Sequence, residues 1–385
     1  MPSKIKVLQV IPKLGFGGAE TGCYDLAHYL PEQNCKSFIA TSGGELIKFV
    51  RKEKVKIFKI SVQSKNPIII FFNSIILSFI ILFNNIDIVH ARSRAPAWSC
   101  VLACFITRRK FVTTFHGTYN FKSTIKLFYN SIMVKSKLII AGSNFIFNHI
   151  NENYQKYLDS KNKLLVIFRG INLDFYNSKN ISQKKKNDLI LEWKINTDKF
   201  IFLLPGRLTN WKGQEIFIEA LNILIEDYNN LDFFAIILGS DQGRNVYRKK
   251  LVNLVERYNL NNKVKFTDHC KEMPLAYSIA NVVVSSSIEP EAFGRVAVEA
   301  QAMQKPIIAS NIGGSKETIL NEKSGFLYKF DDPRELAKVL NKVMNFDKDT
   351  LNSIGNEGRK NVSKKFDVEK MCNTTLTEYK KLLNK

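Results

Sequence analysis

Acidic side chains are scarce in this 385-residue chain. There are 35 Asp and Glu against 57 Lys and Arg, a formal net charge of +22. Such an imbalance implies an acidic partner: nucleic acid, anionic lipid or a phosphorylated ligand. Part of the excess is local. Lys48, Arg51, Lys52, Lys54, Lys56, Lys59 and Lys65 share their window with one acid, Glu53. Paired cysteines are also missing. The six stand at 23, 35, 100, 104, 270 and 372, with no Cys-x-x-Cys and no His at zinc spacing. This excludes the usual structural zinc sites and leaves reduced thiols. The opening MPSKIKVLQVIP has too short an apolar run for a signal peptide. A cytoplasmic protein is the expectation, with peripheral contact on the inner face of an anionic membrane through the basic stretch. Prolines are few, and 45% hydrophobic with 24% charged residues is the composition of a soluble globular chain. The length calls for two domains.

Long apolar runs are absent but for one. Ile68 to Phe83, IIIFFNSIILSFIILF, spans roughly 24 Å as a helix, short of a hydrocarbon core of about 30 Å. Asn73, Ser74 and Ser78 form a narrow polar stripe, and Pro67 suits a first helical position. The expected structure is a buried helix crossing back to a sheet. A helix resting on a membrane surface comes second and a true span last. Elsewhere short apolar runs alternate with helical periods. The runs are Val7–Ile11, 38–40, Val55–Ile60, Ile86–Val89, Phe111–Thr114 and Leu138–Ala141, then Phe200–Leu204, Phe233–Leu238, Val264–Phe266, Val282–Val284, Pro306–Ala309 and Phe326–Tyr328. Between the two sets, NLDFYNSKNISQKKKND is polar and rich in turn formers. The pattern predicts an α/β chain of two Rossmann-like doubly wound domains in series, with a cleft between them. The first spans 1–175 and the second 176–365, and a C-terminal helix at 366–385 packs back on the first. Ligands of such sheets bind at the loops after the strands.

Those loops supply the candidates. Gly15-Phe16-Gly17-Gly18-Ala19-Glu20 follows the first strand, but Glu20 stands where a dinucleotide fingerprint needs glycine. It is either a tight turn or a set of amides offered at a helix N-terminus. His116 follows the fifth strand, beside Gly117. A lone histidine is ordinarily structural, and its place at a sheet edge argues for function. Arg92 and Arg94, after the fourth strand, can hold an anionic or polyhydroxyl group or be surface charges. In the second half, Gly206-Arg207 follows a strand and Lys212-Gly213 opens a helix. Two cations and free amides there suit a diphosphate. Finally EPEAFGRVAVEA sets Glu291 and Glu299 around Phe293, Gly294, Arg295 and Val296 at a helix start. The amides suit a phosphate. The carboxylates suit diols, Glu299 a ribose and Glu291 a second set of hydroxyls. They could instead serve a hydrolase, but the adjacent phosphate-binding features weigh against that.

EPEAFGRVAVEAQAM resembles the signature of retaining family-4 glycosyltransferases of the GT-B fold, and HARSRAPAW and RGINLDFY resemble a bacterial envelope-polysaccharide and lipopolysaccharide subgroup. GRLTNWKG, GFGGAE, DIVHARSRAPAW, FHGTY, PIIASNIGGSKETI and SGFLY are similar to further elements of that family. The resemblance implies a hexosyl transfer from a UDP- or GDP-linked sugar to a glycan or lipid-linked acceptor. It implies that Arg207 and Lys212 bind the diphosphate, Glu299 the ribose and Glu291 the transferred sugar. Phe293, Gly294, Arg295 and Val296 would line the donor site. His116 would reach the sugar from the first domain, Gly17 and Gly18 the phosphates or acceptor, and Arg92 and Arg94 the acceptor. No metal or other cofactor is implied. The one Asp-x-Asp, Asp347-Lys348-Asp349, reads as a helix cap. The alternatives are a nucleotide-sugar epimerase, another GT-B sugar enzyme, or a basic nucleic-acid-binding protein, for which no recognition motif is present.

Overall fold

A computed structural model describes residues 4–119, 123–243, 245–268, 270 and 272–384. It divides into two compact units, Met1–Gly170 with Val368–Lys385, and Ile171–Asp367. Each is a parallel sheet with helical crossovers.

The strands of unit 1 are β1 (Lys6–Val10), β2 (Lys36–Thr41), β3 (Val55–Lys59), β4 (Ile88–Ala91), β5 (Lys110–Phe115), β6 (Leu138–Ala141) and β7 (Lys163–Val166). Its helices are α1 (Gly18–Glu32), α2 (Pro67–Asn84), α3 (Arg94–Thr107), α4 (Thr124–Ser131) and α5 (Asn144–Tyr154). The order is β3-β2-β1-β4-β5-β6-β7, all parallel. The edge strand β7 was not foreseen. Lys163 is exposed and the other three residues are only half-buried, so it lacks the uniformly apolar signature of an interior strand.

The first α-helix of unit 2, α6 (Gln183–Glu192), begins inside the stretch that reads as a polar junction. Ser182 caps it, its side chain accepting from the Lys185 amide. The strands β8 (Phe200–Pro205), β9 (Phe233–Leu238), β10 (Val264–Thr267), β11 (Val282–Ser285), β12 (Ile307–Ser310) and β13 (Phe326–Tyr328) follow in the order β10-β9-β8-β11-β12-β13. Their crossovers are α7 (Gln214–Glu226), α8 (Asn245–Arg257), α9 (Met273–Ile279), α10 (Arg295–Ala302) and α11 (Ser315–Thr318). Then come α12 (Pro333–Met344) and α13 (Lys348–Lys365). Phe217, Ile218, Leu221 and Leu224 recur at helical spacing on α7 and pack with Phe202 and Phe233 of the sheet. Asp347 caps α13 by accepting from the Thr350 amide at 2.7 Å. The last helix, α14 (Val368–Leu382), belongs to unit 1, where Cys372, Leu376 and Tyr379 join Val7, Leu26 and Ile88 in one core cluster.

One expectation fails. The run at 68–83 is a helix, capped by Asn66, opened by Pro67 and ended by Asn85 in the left-handed region, but it is not a buried one. Its polar stripe faces inward and most of its large apolar side chains face out. Asn73 Nδ2 donates to the Ser61 carbonyl at 3.0 Å, and Ser74 and Ser78 satisfy their hydroxyls on the carbonyls of Phe71 and Ser74. Polar groups can face a protein interior when they are bonded there. Hydropathy alone does not show which side of a nearly all-apolar helix turns inward.

Candidate active site

In unit 2 the chain winds outward from β8 and then returns to place β11 on its other side. That reversal opens a crevice at the carboxyl ends of these two strands. Arg207 and Lys212 follow β8, and Glu291 follows β11. Arg207 is exposed, while its carbonyl accepts from Gln214 Nε2 at 2.9 Å. Gly213 has φ +66°, and a Cβ there would lie 1.9 Å from the Ser286 carbonyl oxygen. Only glycine lets the two loops close to this distance. Lys212 Nζ then meets Glu291 Oε1 at 2.7 Å, with side chains 13% and 10% exposed. The same oxygen accepts from Ser287 Oγ at 2.7 Å, and Ser285 Oγ lies 3.5 Å away. Burial alone would raise the Glu291 pKa. The Lys212 ammonium and these hydrogen bonds outweigh it and hold the carboxyl below its ordinary value.

Next along the loop, Gly294 takes φ +82° at the start of α10, and no side chain caps that helix. The opening amides of a helix lack intrahelical acceptors, and its dipole favours an anion there. Phe293 is buried and packs edge-on against Phe366 at 5.4 Å, which anchors the turn. Val296 is half-buried in the first turn. Glu299 is buried, with both oxygens engaged. Arg295 Nε donates to one at 2.5 Å and Tyr277 OH to the other at 2.8 Å. A diol reaching Glu299 would meet a carboxylate already oriented by Arg295 and Tyr277.

In unit 1 the corresponding reversal lies between β1 and β4. Gly17 precedes α1 with no side-chain cap, and Gly18 is the first helical residue. A Cβ at Gly18 would lie 3.2 Å from an Arg169 guanidinium nitrogen. Arg169 Nη1 donates to His116 Nδ1 at 3.3 Å. That assigns the His116 proton to Nε2, which is buried and has no partner among the described residues. Burial first, then Arg169, Arg92 and His90, hold the His116 pKa well below the usual 6.5. Arg92 is buried and gives Nη2 to Gln9 Oε1 at 2.5 Å. Arg92, His116 and Arg169, with His90, Thr114 and Gly142, line a small pocket. Arg94 is engaged elsewhere: it donates to Asn130 Oδ1 at 2.8 Å and stacks on Tyr119 at 4.2 Å. Sequence reasoning missed Arg169 and Tyr277. A cation directly after an apolar strand, as in VIFRG, was the available signal for Arg169. The buried Tyr277 gave none.

The buried histidines set a pH response. His90 bridges Tyr379 OH and Thr114 Oγ1 at 2.5 and 2.7 Å, and burial, then Arg92, holds its pKa well below 6.5. Folded His90 and His116 therefore stay neutral where the unfolded chain protonates. Their contribution to stability is complete above pH 6.5 and is lost as pH falls below it, by up to about 1.4 kcal/mol per pH unit for each ring. Urea midpoints measured between pH 8 and 5 should decline on the acid side. A flat series would refute the assignment.

Comparison with known proteins matches this architecture. Residues 16–175 match Glycosyltransferase Family 4, and residues 185–361 match Glycosyl transferases group 1. A glycosyltransferase from Rickettsia africae ESF-5 is 36% identical, with a TM-score of 0.89 over 99% of both chains. The Anabaena protein HepE, solved with UDP and glucose, is 22% identical, with a TM-score of 0.81 over 98% of this chain and 100% of that one. The capsular polysaccharide biosynthesis glycosyltransferase CapM of Staphylococcus aureus is 25% identical over 91% of this chain and 93% of its own. Two Rossmann-like domains in series with glycine-lined loops at their strand ends define a GT-B protein. The chain belongs to the glycosyltransferases, with a family 4 domain followed by a group 1 domain.

Proposed function

We propose that the chain moves a hexosyl group, with retention of anomeric configuration, from a nucleoside-diphosphate sugar to a glycan or lipid-linked acceptor in envelope polysaccharide synthesis. The observation that carries this reading is the Lys212–Glu291 pair at the strand reversal of unit 2, set between exposed Arg207 and the uncapped start of α10. Arg207, Lys212 and the α10 amides receive the diphosphate. Negative charge grows on that diphosphate as the glycosidic bond breaks, so fixed cations and amides stabilise the transition state more than the ground state. Glu291 takes hydroxyls of the transferred sugar and Glu299 those of the ribose. His116 presents Nε2–H as a neutral donor to the sugar, since Arg169 occupies Nδ1. Gly17 and Gly18 allow close approach at the α1 N-terminus, and Arg92, on the pocket with His116, marks the acceptor side, while Arg94 is held by Asn130 and Tyr119. The reaction in this reading uses no metal, because the two side-chain cations and the helix terminus meet the leaving charge. HepE has been solved with UDP and with UDP-glucose, in keeping with a nucleotide-sugar donor.

Calorimetric titration with UDP, GDP and ADP in metal-free buffer tests this. Micromolar binding of one nucleotide, lost in an Arg207→Ala, Glu299→Ala double variant, is the expected result. A folded wild-type protein that binds none of the three would overturn the donor assignment.

A further inference from the structure

The exposed side of α2 carries Ile68, Phe71, Phe72, Phe79, Leu82 and Phe83, each between 50% and 82% exposed. The helix holds no charged residue from Pro67 to Asn84. On α3, which packs along α2, Phe105 and Ile106 are exposed as well. Soluble monomers rarely leave more than a few hundred Å² of continuous apolar surface bare, and larger patches mark interaction sites. We infer that this face is the seat of the protein on an anionic lipid bilayer, with α2 lying in the interface.

The charge around the helix selects the partner. Crossover helices of a parallel sheet run back to its N-terminal edge, so α2 and α3 end there together. Lys6 Nζ donates to the Asn84 carbonyl at 3.0 Å, and Lys56 Nζ lies 3.4 Å from Asn84 Oδ1. Arg108, Arg109 and Lys110 follow directly on α3. Lys36 pairs in register with Lys6 and is exposed. An apolar helix face with cations massed at one end suits acyl chains beside anionic headgroups. It suits a second copy of this chain less, because that copy would set the same cations against these and add a further net charge of +22. Nor does α2 cross the bilayer. It is the one described helix long and apolar enough to do so. Yet its inner face is bonded to unit 1 through Asn73, and Ser99 Oγ of α3 donates to the Ile70 carbonyl at 3.2 Å. The chain then enters β4, beside β1 in the interior of the sheet.

Flotation of the full chain with phosphatidylcholine vesicles, with and without phosphatidylglycerol, tests the inference. The wild type should float with the anionic vesicles. A Phe72→Ser, Phe79→Ser, Phe83→Ser variant keeps every charge and should lose about tenfold or more of that partition. It should melt as the wild type does, because those rings lie outside the core. A second variant, Phe105→Ser with Ile106→Ser, should weaken binding from a different helix. Lys36→Glu with Lys110→Glu should reduce the preference for phosphatidylglycerol. Absence of wild-type flotation, or flotation unchanged in both apolar variants, would overturn the proposal. So would a concentration-dependent dimer, seen by light scattering, that the triple variant abolishes. None of these readouts depends on the donor assignment.

Discussion

Lys212→Met is expected to lower kcat/KM by roughly two to three orders of magnitude, the scale of losing one preorganised charged donor to a transition state. The same change should lower stability. Among the described residues Glu291 pairs with one cation, at 2.7 Å, and both side chains are nearly buried. Removing that cation strands a buried carboxylate, a loss on the order of 3 kcal/mol. Methionine fills much of the lysine stem's volume, so the loss reports charge rather than a cavity. The two effects separate by pH. The folded Glu291 pKa lies below its ordinary 4.5. Its contribution is therefore present above pH 4.5 and disappears as pH falls through the folded value. In Lys212→Met the carboxyl loses its main source of depression and protonates at higher pH. Chemical denaturation from pH 7 to 3 should show the variant's deficit narrowing with acid. Steady-state rates at pH 7 should show the catalytic loss undiminished under conditions where the variant is fully folded. A variant as stable and active as the wild type would mean that the pair is ornamental to both fold and donor.

The legible parts of this molecule were those in which a short apolar run meets a turn. Phe200–Pro205 and Phe233–Leu238 are uninterrupted apolar strands, and the loop after the first carries Gly206-Arg207 in plain view. The turn into α10 was equally plain, because Gly294 needs its positive φ and the helix period starts at the next residue. What stayed hidden depends on partners distant in sequence. Neither Lys212 nor Glu291 announces that it will find the other 79 residues away. The Tyr277 hydroxyl on Glu299 and the Arg169 guanidinium on His116 are contacts of the same kind. Helix α2 failed for a different reason. Its composition is so uniformly apolar that which face turns inward rests on Asn73, Ser74 and Ser78, whose bonds form only in the folded unit.

Truncation after Asp367 is expected to unfold unit 1 while leaving unit 2 folded. The deleted segment includes α14, whose Cys372, Leu376 and Tyr379 are almost wholly buried in the cluster with Val7, Leu26, Leu30 and Ile88. Baring that much apolar surface costs on the order of 5 kcal/mol. A domain of this size has about 5 to 15 kcal/mol in hand. Polar losses add to it. His90 would lose the Tyr379 hydroxyl at Nδ1 while still enclosed in the sheet, and Lys163 would lose Glu378 at 2.6 Å. Tyr379→Phe isolates the hydroxyl, since the ring still fills its site. It should cost only about 1 to 3 kcal/mol, the loss of one buried hydrogen bond. Calorimetry would distinguish the two cases. The point variant should keep both units' transitions with one shifted downward, whereas the truncated chain should retain a single transition and still bind the nucleotide that the wild type binds. A truncated protein with both transitions intact would mean that α14 covers unit 1 without holding it together.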